Sequence, residues 1–135
     1  MADAVAEDDL LALAELAKAV REHAYAPYSR YHVGAALRTP SGRVFVGANV
    51  ENATYGATLC AERAAVAGMV AAGERRIAAI AVATADDPPG LPCGICRQTL
   101  AEFGSPELVV LAVSATGERR RTLAELLPEP FGLRP

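Results

Sequence analysis

Two short stretches constrain this chain more than anything else in it: Cys60-Ala61-Glu62-Arg63 and, 33 positions after Cys60, Pro92-Cys93-Gly94-Ile95-Cys96. Between them they hold all 3 cysteines of the protein, with a glutamate beside the first and a proline before the second. An odd count of thiols makes a poor disulfide framework, which also needs an oxidising compartment, and the acidic N-terminus lacks the basic start of a secretory signal. Thiols that serve one metal ion explain the pattern better. The fold then has to carry two distant segments to a single point.

Each stretch stands where a helix is expected to begin. Spacing and turn residues predict one helix over residues 59–72, with Thr58 as its cap and Gly73 at its end, and a shorter one over 94–103, closed by Gly104. Helix-end amides favour Cys60, Cys93 and Cys96 as thiolates. Zinc binds thiolate sulfur well, and catalytic zinc sites typically use three protein ligands and leave the fourth position to water. Three thiolates on a dication carry a net negative charge, which weakens the acidifying effect of the metal on that water. Arg63, on the same helical face as Cys60, is the expected counter-charge, ahead of Arg97. Glu62 is the candidate general acid/base, although helical geometry points a residue two positions after Cys60 to a different side.

Two other readings compete. A C-x-x-C at a helix start is also the pattern of a thioredoxin-like redox pair, and a structural zinc knot would take His23 or His32 as a fourth ligand. The third cysteine beside a glutamate counts against both. His23 is expected on the exposed side of the first helix, and His32 in an ordinary strand position.

Over residues 8–25, Leu10, Leu13, Leu16, Ala17 and Val20 recur at helical spacing, and Pro27 follows as a stop. Residues 31–37 and 43–50 flank Thr39-Pro40-Ser41-Gly42 and read as a hairpin. Residues 77–84 and 108–113 are apolar almost without alternation, as expected of strands covered on both faces. A last short strand through Arg119 to Arg121 precedes a stub of helix around Ala124 to Leu127. The small stripe Ala61, Ala64, Ala65, Gly68 and Ala72 either admits a close neighbour or reflects alanine's helix propensity alone. The expected fold class is α/β: a three-layer α/β/α sandwich around one mixed five-stranded sheet, with the hairpin antiparallel and helix-separated strands parallel. Residues 1–135 are expected to form a single domain.

A hydrophobic fraction of 52% with 21% charged residues argues against disorder. A net charge of −3 disfavours a nucleic-acid partner, and the one basic run, Arg119-Arg120-Arg121, reads as a solvated strand. No stretch has the length of a membrane span, so a cytoplasmic protein with no membrane partner is expected.

Further motifs stand in order around the cysteines: Tyr25-Ala26-Pro27-Tyr28-Ser29, then Val33-Gly34-Ala35-Ala36, Asn49-Val50-Glu51-Asn52-Ala53, Tyr55-Gly56, Arg97-Gln98 directly after Cys96, and Leu126-Leu127-Pro128. With the cysteine stretches they resemble the small zinc-dependent cytidine deaminases of the three-cysteine, homotetrameric type, over nearly the whole chain. The resemblance implies hydrolytic deamination of cytidine or deoxycytidine to uridine or deoxyuridine plus ammonia by a zinc-activated water, in pyrimidine salvage. It implies that Glu62 takes the water proton, delivers it to the ring nitrogen and helps protonate the departing ammonia. Backbone near Ala61 and near Leu91-Pro92 would hold the edge of the base. Asn49 and Glu51 would bind the ribose hydroxyls, and Tyr31 stands where the family commonly has a phenylalanine beside the base. Tyr55 and Phe131 look like residues lent to a neighbouring subunit's pocket, which implies a homotetramer with shared active sites. The alternative within the same fold is a deaminase of blasticidin-type nucleoside antibiotics, against which Asn49-Val50-Glu51-Asn52 favours an ordinary nucleoside. From a different class, a non-catalytic zinc-binding or redox module would share the cysteines.

Overall fold

Strands that are apolar on both faces need cover on both, and the described chain supplies it with helices before and after each of them. In the computed structural model, which describes residues 4–133, α1 (Glu7–Arg21) is followed by β1 (Gly34–Arg38), β2 (Val44–Ala48), α2 (Ala61–Ala71), β3 (Ala79–Ala83), α3 (Gly94–Phe103), β4 (Val109–Ser114), β5 (Gly117–Thr122) and α4 (Leu123–Leu126). The strands form one mixed five-stranded sheet in the order β2-β1-β3-β4-β5.

The pairing is that of a mixed sheet with an antiparallel opening hairpin and helix-separated strands that run the same way. β3 and β4, joined through α3, are parallel, but β1 is antiparallel to both β2 and β3, and β4 is antiparallel to β5. The reason is that α2 carries the chain from β2 across β1 to its far side. β2 and β3 therefore run the same way with β1 between them.

Alternation of side chains across the sheet divides the core in two. Ala36, Ala79, Ala81, Ala83, Leu111 and Val113 face Leu10, Leu13, Ala14 and Ala17 of α1. On the other face Ala35, Leu37, Ile80, Val82 and Val110 pack with Ala61, Ala65, Val66 and Met69 of α2, Leu100 of α3 and Leu123 and Leu126 of α4. Each fully buried Leu, Ile, Val or Met contributes about 1.5–3 kcal/mol, so the second layer holds the larger share of the apolar stabilisation.

Several boundaries differ from those expected. The buried face of α1 is Leu10, Leu13, Ala14 and Ala17, while Leu16 is exposed, and the helix ends at Arg21. Tyr25 is already committed to backbone pairing with Val50, with its amide donating to the Asn49 carbonyl. α2 begins at Ala61 with Cys60 as the capping residue, because Val50 and Leu59 exchange backbone hydrogen bonds of 2.9 Å in both directions and Leu59 is not free to start a helix. α3 covers the residues expected of it, with Cys93 before it and Gly104 after. Arg119, Arg120 and Arg121 lie on β5 half-buried, and Arg120 pairs with Glu7 and Glu118. Arg120 is thus occupied by acidic partners, and Arg121 donates to the Arg120 carbonyl at 2.7 Å. No described helix is long and apolar enough to cross a membrane.

Candidate active site and metal centre

Because β2 and β3 point the same way, the chain leaves both at one end of the sheet, and α2 and α3 both start there. This is the end at which open α/β sheets bind ligands. α2 is seated by Gly47 on β2: a Cβ there would lie 2.5 Å from the Ala61 carbonyl oxygen and 2.5 Å from the Ala65 nitrogen. The first turn of α2, with Cys60 and Glu62, thus rests directly on the sheet.

The two helix starts bring Cys60, Cys93 and Cys96 together, with their sulfurs all within 4.8 Å of one another and those of Cys60 and Cys93 4.0 Å apart. Three vertices of a tetrahedron with Zn–S bonds of about 2.3 Å lie about 3.8 Å apart, so the cluster fits a zinc ion without rearrangement of its helices. A disulfide needs sulfurs at about 2.05 Å, and all three cysteines are free. Neither histidine joins the cluster: His23 is exposed, and His32 has Nδ1 3.1 Å from the Arg30 carbonyl oxygen. The structural zinc knot with a histidine ligand is therefore set aside.

Charge in the cluster is arranged asymmetrically. A hydrogen bond from the Cys96 thiol, and then Arg63, outweigh burial and pull the Cys60 thiol down to about 5. The same hydrogen bond, with burial, raises Cys96, which keeps its proton. Three negative sulfurs so close would repel, so a dication binding here takes the place of a retained proton. Arg63 reaches Cys60 Sγ at 3.6 Å and the Thr58 carbonyl at 3.2 Å, as its position on the helix predicts. Arg97 does not serve the sulfurs. It donates to the carbonyls of Pro92 (2.7 Å) and Leu126 (2.9 Å), pinning the approach to α3.

Cys60, Cys93 and Glu62 line one cavity of about 320 Å³, together with Tyr31, Asn49, Glu51, Ala61 and Leu91. The geometry that spacing left open is thereby given: Glu62 shares the cavity with two of the sulfurs. It is only 4% exposed, and burial, opposed by a hydrogen bond from its own amide and assisted by the Cys60 charge, pushes its carboxyl up to about 7.

Asn49 and Glu51 sit at the cavity wall with their side chains already engaged. Asn49 accepts from the Val33 amide at 2.8 Å and donates to the Tyr31 carbonyl at 2.7 Å. Glu51 accepts from the Tyr28 and Ser29 amides and from the Ser29 hydroxyl, which hold its carboxyl below the usual range. Both residues shape the segment 28–33. Tyr55, 88% exposed, lies outside this cavity in the adjoining depression beside Tyr28 and Glu51, and Phe131, 73% exposed, is held by its carbonyl to Gln98 Nε2 at 2.8 Å. Ser29, Thr84 and Asp86 escaped the sequence reading. Thr84 had one available signal, its place at the carboxyl end of a buried strand.

Comparison with known proteins follows the same lines. Residues 7–112 match the family described as the cytidine and deoxycytidylate deaminase zinc-binding region. A cytidine deaminase of Halalkalibacterium halodurans is 46% identical over 112 residues, covering 82% of this chain and 85% of that protein. The crystal structure of cytidine deaminase from Burkholderia pseudomallei superposes with a TM-score of 0.86 at 50% identity, covering 90% of this chain and 98% of that one. That of cytidine deaminase from Mycobacterium tuberculosis gives 0.81 at 43% identity, covering 93% and 98%.

Proposed function

The chain belongs to the cytidine and deoxycytidylate deaminase family, and from that membership and its site we propose that it hydrolyses cytidine, deoxycytidine or both to the corresponding uridine and ammonia. The observation that carries the reading is a three-sulfur cluster fit for zinc in one cavity with a buried glutamate. Bound zinc supplies Lewis acidity that lowers the pKa of a coordinated water towards neutrality. Glu62 accepts the proton of the attacking water at its carboxylate, hands it to the ring nitrogen beside the amine-bearing carbon, and assists protonation of the leaving ammonia. Arg63 offsets the excess negative charge of the sulfurs through Cys60. Backbone amides of the first turn of α2, near Ala61, have no partner within the helix and suit the edge of the base, with Leu91 opposite. Asn49 and Glu51 offer the sugar hydroxyls acceptors that their own hydrogen bonds hold in place.

The same reading extends to assembly. Ala61 and Ala65 of the small stripe are buried against the sheet, whereas Tyr25, Tyr28, Val44, Val46, Tyr55 and Phe131 are exposed, an apolar surface suited to further copies of the chain. We read it as the interface of a homotetramer in which Tyr55 and Phe131 complete a neighbour's pocket. Pyrimidine salvage in the cytoplasm by a single domain over residues 1–135 is the setting this implies.

The test is ammonia release from cytidine and from blasticidin S by purified protein of measured zinc content, beside Glu62→Gln. The parent is expected to turn over cytidine, and Glu62→Gln to keep its zinc and lose nearly all activity. A Glu62→Gln variant as fast as the parent refutes the role of Glu62, and turnover of blasticidin S alone moves the substrate to the antibiotic.

A further inference from the structure

We propose that Tyr31 and Asp86 act as a positioning pair that fixes the 84–92 loop as one wall of the cavity and thereby sets how tightly substrate is held. The Tyr31 phenol donates to Asp86 Oδ2 at 2.5 Å, tying together segments 55 residues apart. The loop is wound on Thr84, whose Oγ1 accepts from the Asp86 amide at 3.2 Å and from the Gly90 amide at 3.1 Å. Gly90 then passes directly under the pair: a Cβ there would stand 3.0 Å from the phenol oxygen and closer still to the Asp86 carboxylate. The next residue, Leu91, lines the cavity. Tyr31 thus lines the cavity and acts on its wall through its hydroxyl.

Two features separate this device from the metal cluster. The far end of the loop is pinned by Arg97 at the Pro92 carbonyl, and α3 is anchored by buried Cys96 and Leu100. Loss of the tie therefore releases residues 86–91 and leaves the cysteines where they are. Asp87, the other acid of the loop, is engaged by the Thr116 hydroxyl at 3.1 Å and does not substitute for Asp86. Burial, then the hydrogen bond to Asp86, pushes the Tyr31 phenol up to about 12, so it remains a donor at neutral pH.

The kinetic consequence rests on the deamination reading, and the structural one does not. The experiment compares the parent with Tyr31→Phe, Asp86→Ala, the double variant and Asp86→Asn, measuring zinc content, steady-state kinetics with cytidine, and amide hydrogen exchange of residues 84–91. Tyr31→Phe and Asp86→Ala are each expected to raise KM roughly tenfold with kcat within about twofold, as loss of one charge-assisted hydrogen bond that holds a binding wall should. The double variant is expected to be no worse than Asp86→Ala, because the partners form one unit. Asp86→Asn keeps an acceptor oxygen and is expected to recover most of the loss. Exchange at 84–91 should rise in Tyr31→Phe and Asp86→Ala, with that of 94–103 and the zinc content unchanged. Additive losses, or parental KM and exchange in Tyr31→Phe, overturn the proposal. If the parent itself fails to deaminate cytidine, the functional reading falls, and the exchange of the loop alone decides the pair.

Discussion

The seat of α2 on Gly47 is open to a severe test with one added methyl group. Gly47→Ala places a Cβ 2.5 Å from Ala61 O and Ala65 N and 2.8 Å from the Ala64 Cβ. Non-bonded carbon contacts are comfortable at about 3.5 Å, so α2 and β2 have to part by roughly 1 Å at the turn that carries Cys60 and Glu62. Overpacking of this kind costs about 1–3 kcal/mol, and a displacement of about 1 Å in catalytic geometry costs roughly a hundredfold in rate. The variant is expected to melt several degrees below the parent and to lose about two orders of magnitude in kcat/KM for cytidine, read by calorimetry and ammonia release. Adding Ala64→Gly should not rescue it, because the two shortest contacts are to backbone. A Gly47→Ala protein with parental melting temperature and parental kcat/KM would refute the claim that the missing side chain sets the position of α2.

Metal and proton are linked in the same cluster. Zinc added to chelator-stripped protein in weak buffer at pH 7 is expected to release protons, with Cys96 as one source, and to raise the melting temperature; zinc uptake with no proton release contradicts the arrangement at Cys60 and Cys96. Glu51 gives a cleaner pH signal: its hydrogen bonds to Ser29 and Tyr28 depress its folded pKa below 4.5, so the stabilisation is complete above the unfolded value and is lost as pH falls through the folded one. Ser29→Ala should raise the Glu51 midpoint towards 4.5 in a carboxyl NMR titration, and an unchanged midpoint would show that the hydroxyl contributes nothing.

The parts legible in the sequence are those governed by nearby residues. α3 is bounded by Cys93 and Gly104 because its start and stop are both local signals. The hairpin of β1 and β2 follows from Thr39-Pro40-Ser41-Gly42, where Gly42 takes the positive φ of 91° that other residues avoid. Thr58 is a good cap by type, yet α2 starts later because Leu59 is already paired with Val50, a commitment that no local pattern reveals. Leu16 and Ala14 exchanged places for a similar reason: the sheet under α1 is alanine-lined, and what it admits is decided by closeness of approach rather than by hydrophobicity. At the site the sulfurs, Glu62 and Arg63 were readable from two motifs. The tie between Tyr31 and Asp86 was not, because each residue alone is unremarkable and only the fold makes them neighbours.

That the two cysteine motifs meet at all is a property of strand order. β2 and β3 are both antiparallel to β1, so their carboxyl ends lie together with one strand between them, and each is followed by a loop that turns back into a helix. Had β3 paired with β1 in parallel, its carboxyl terminus would lie at the opposite end of the sheet, and Cys93 and Cys96 would be carried away from Cys60 by the length of a strand. At about 3.3 Å per residue, the five residues of β3 span roughly 17 Å, far beyond the reach of a metal ion bonded at about 2.3 Å. The antiparallel pairing of β3 with β1 is therefore the feature on which the metal centre depends.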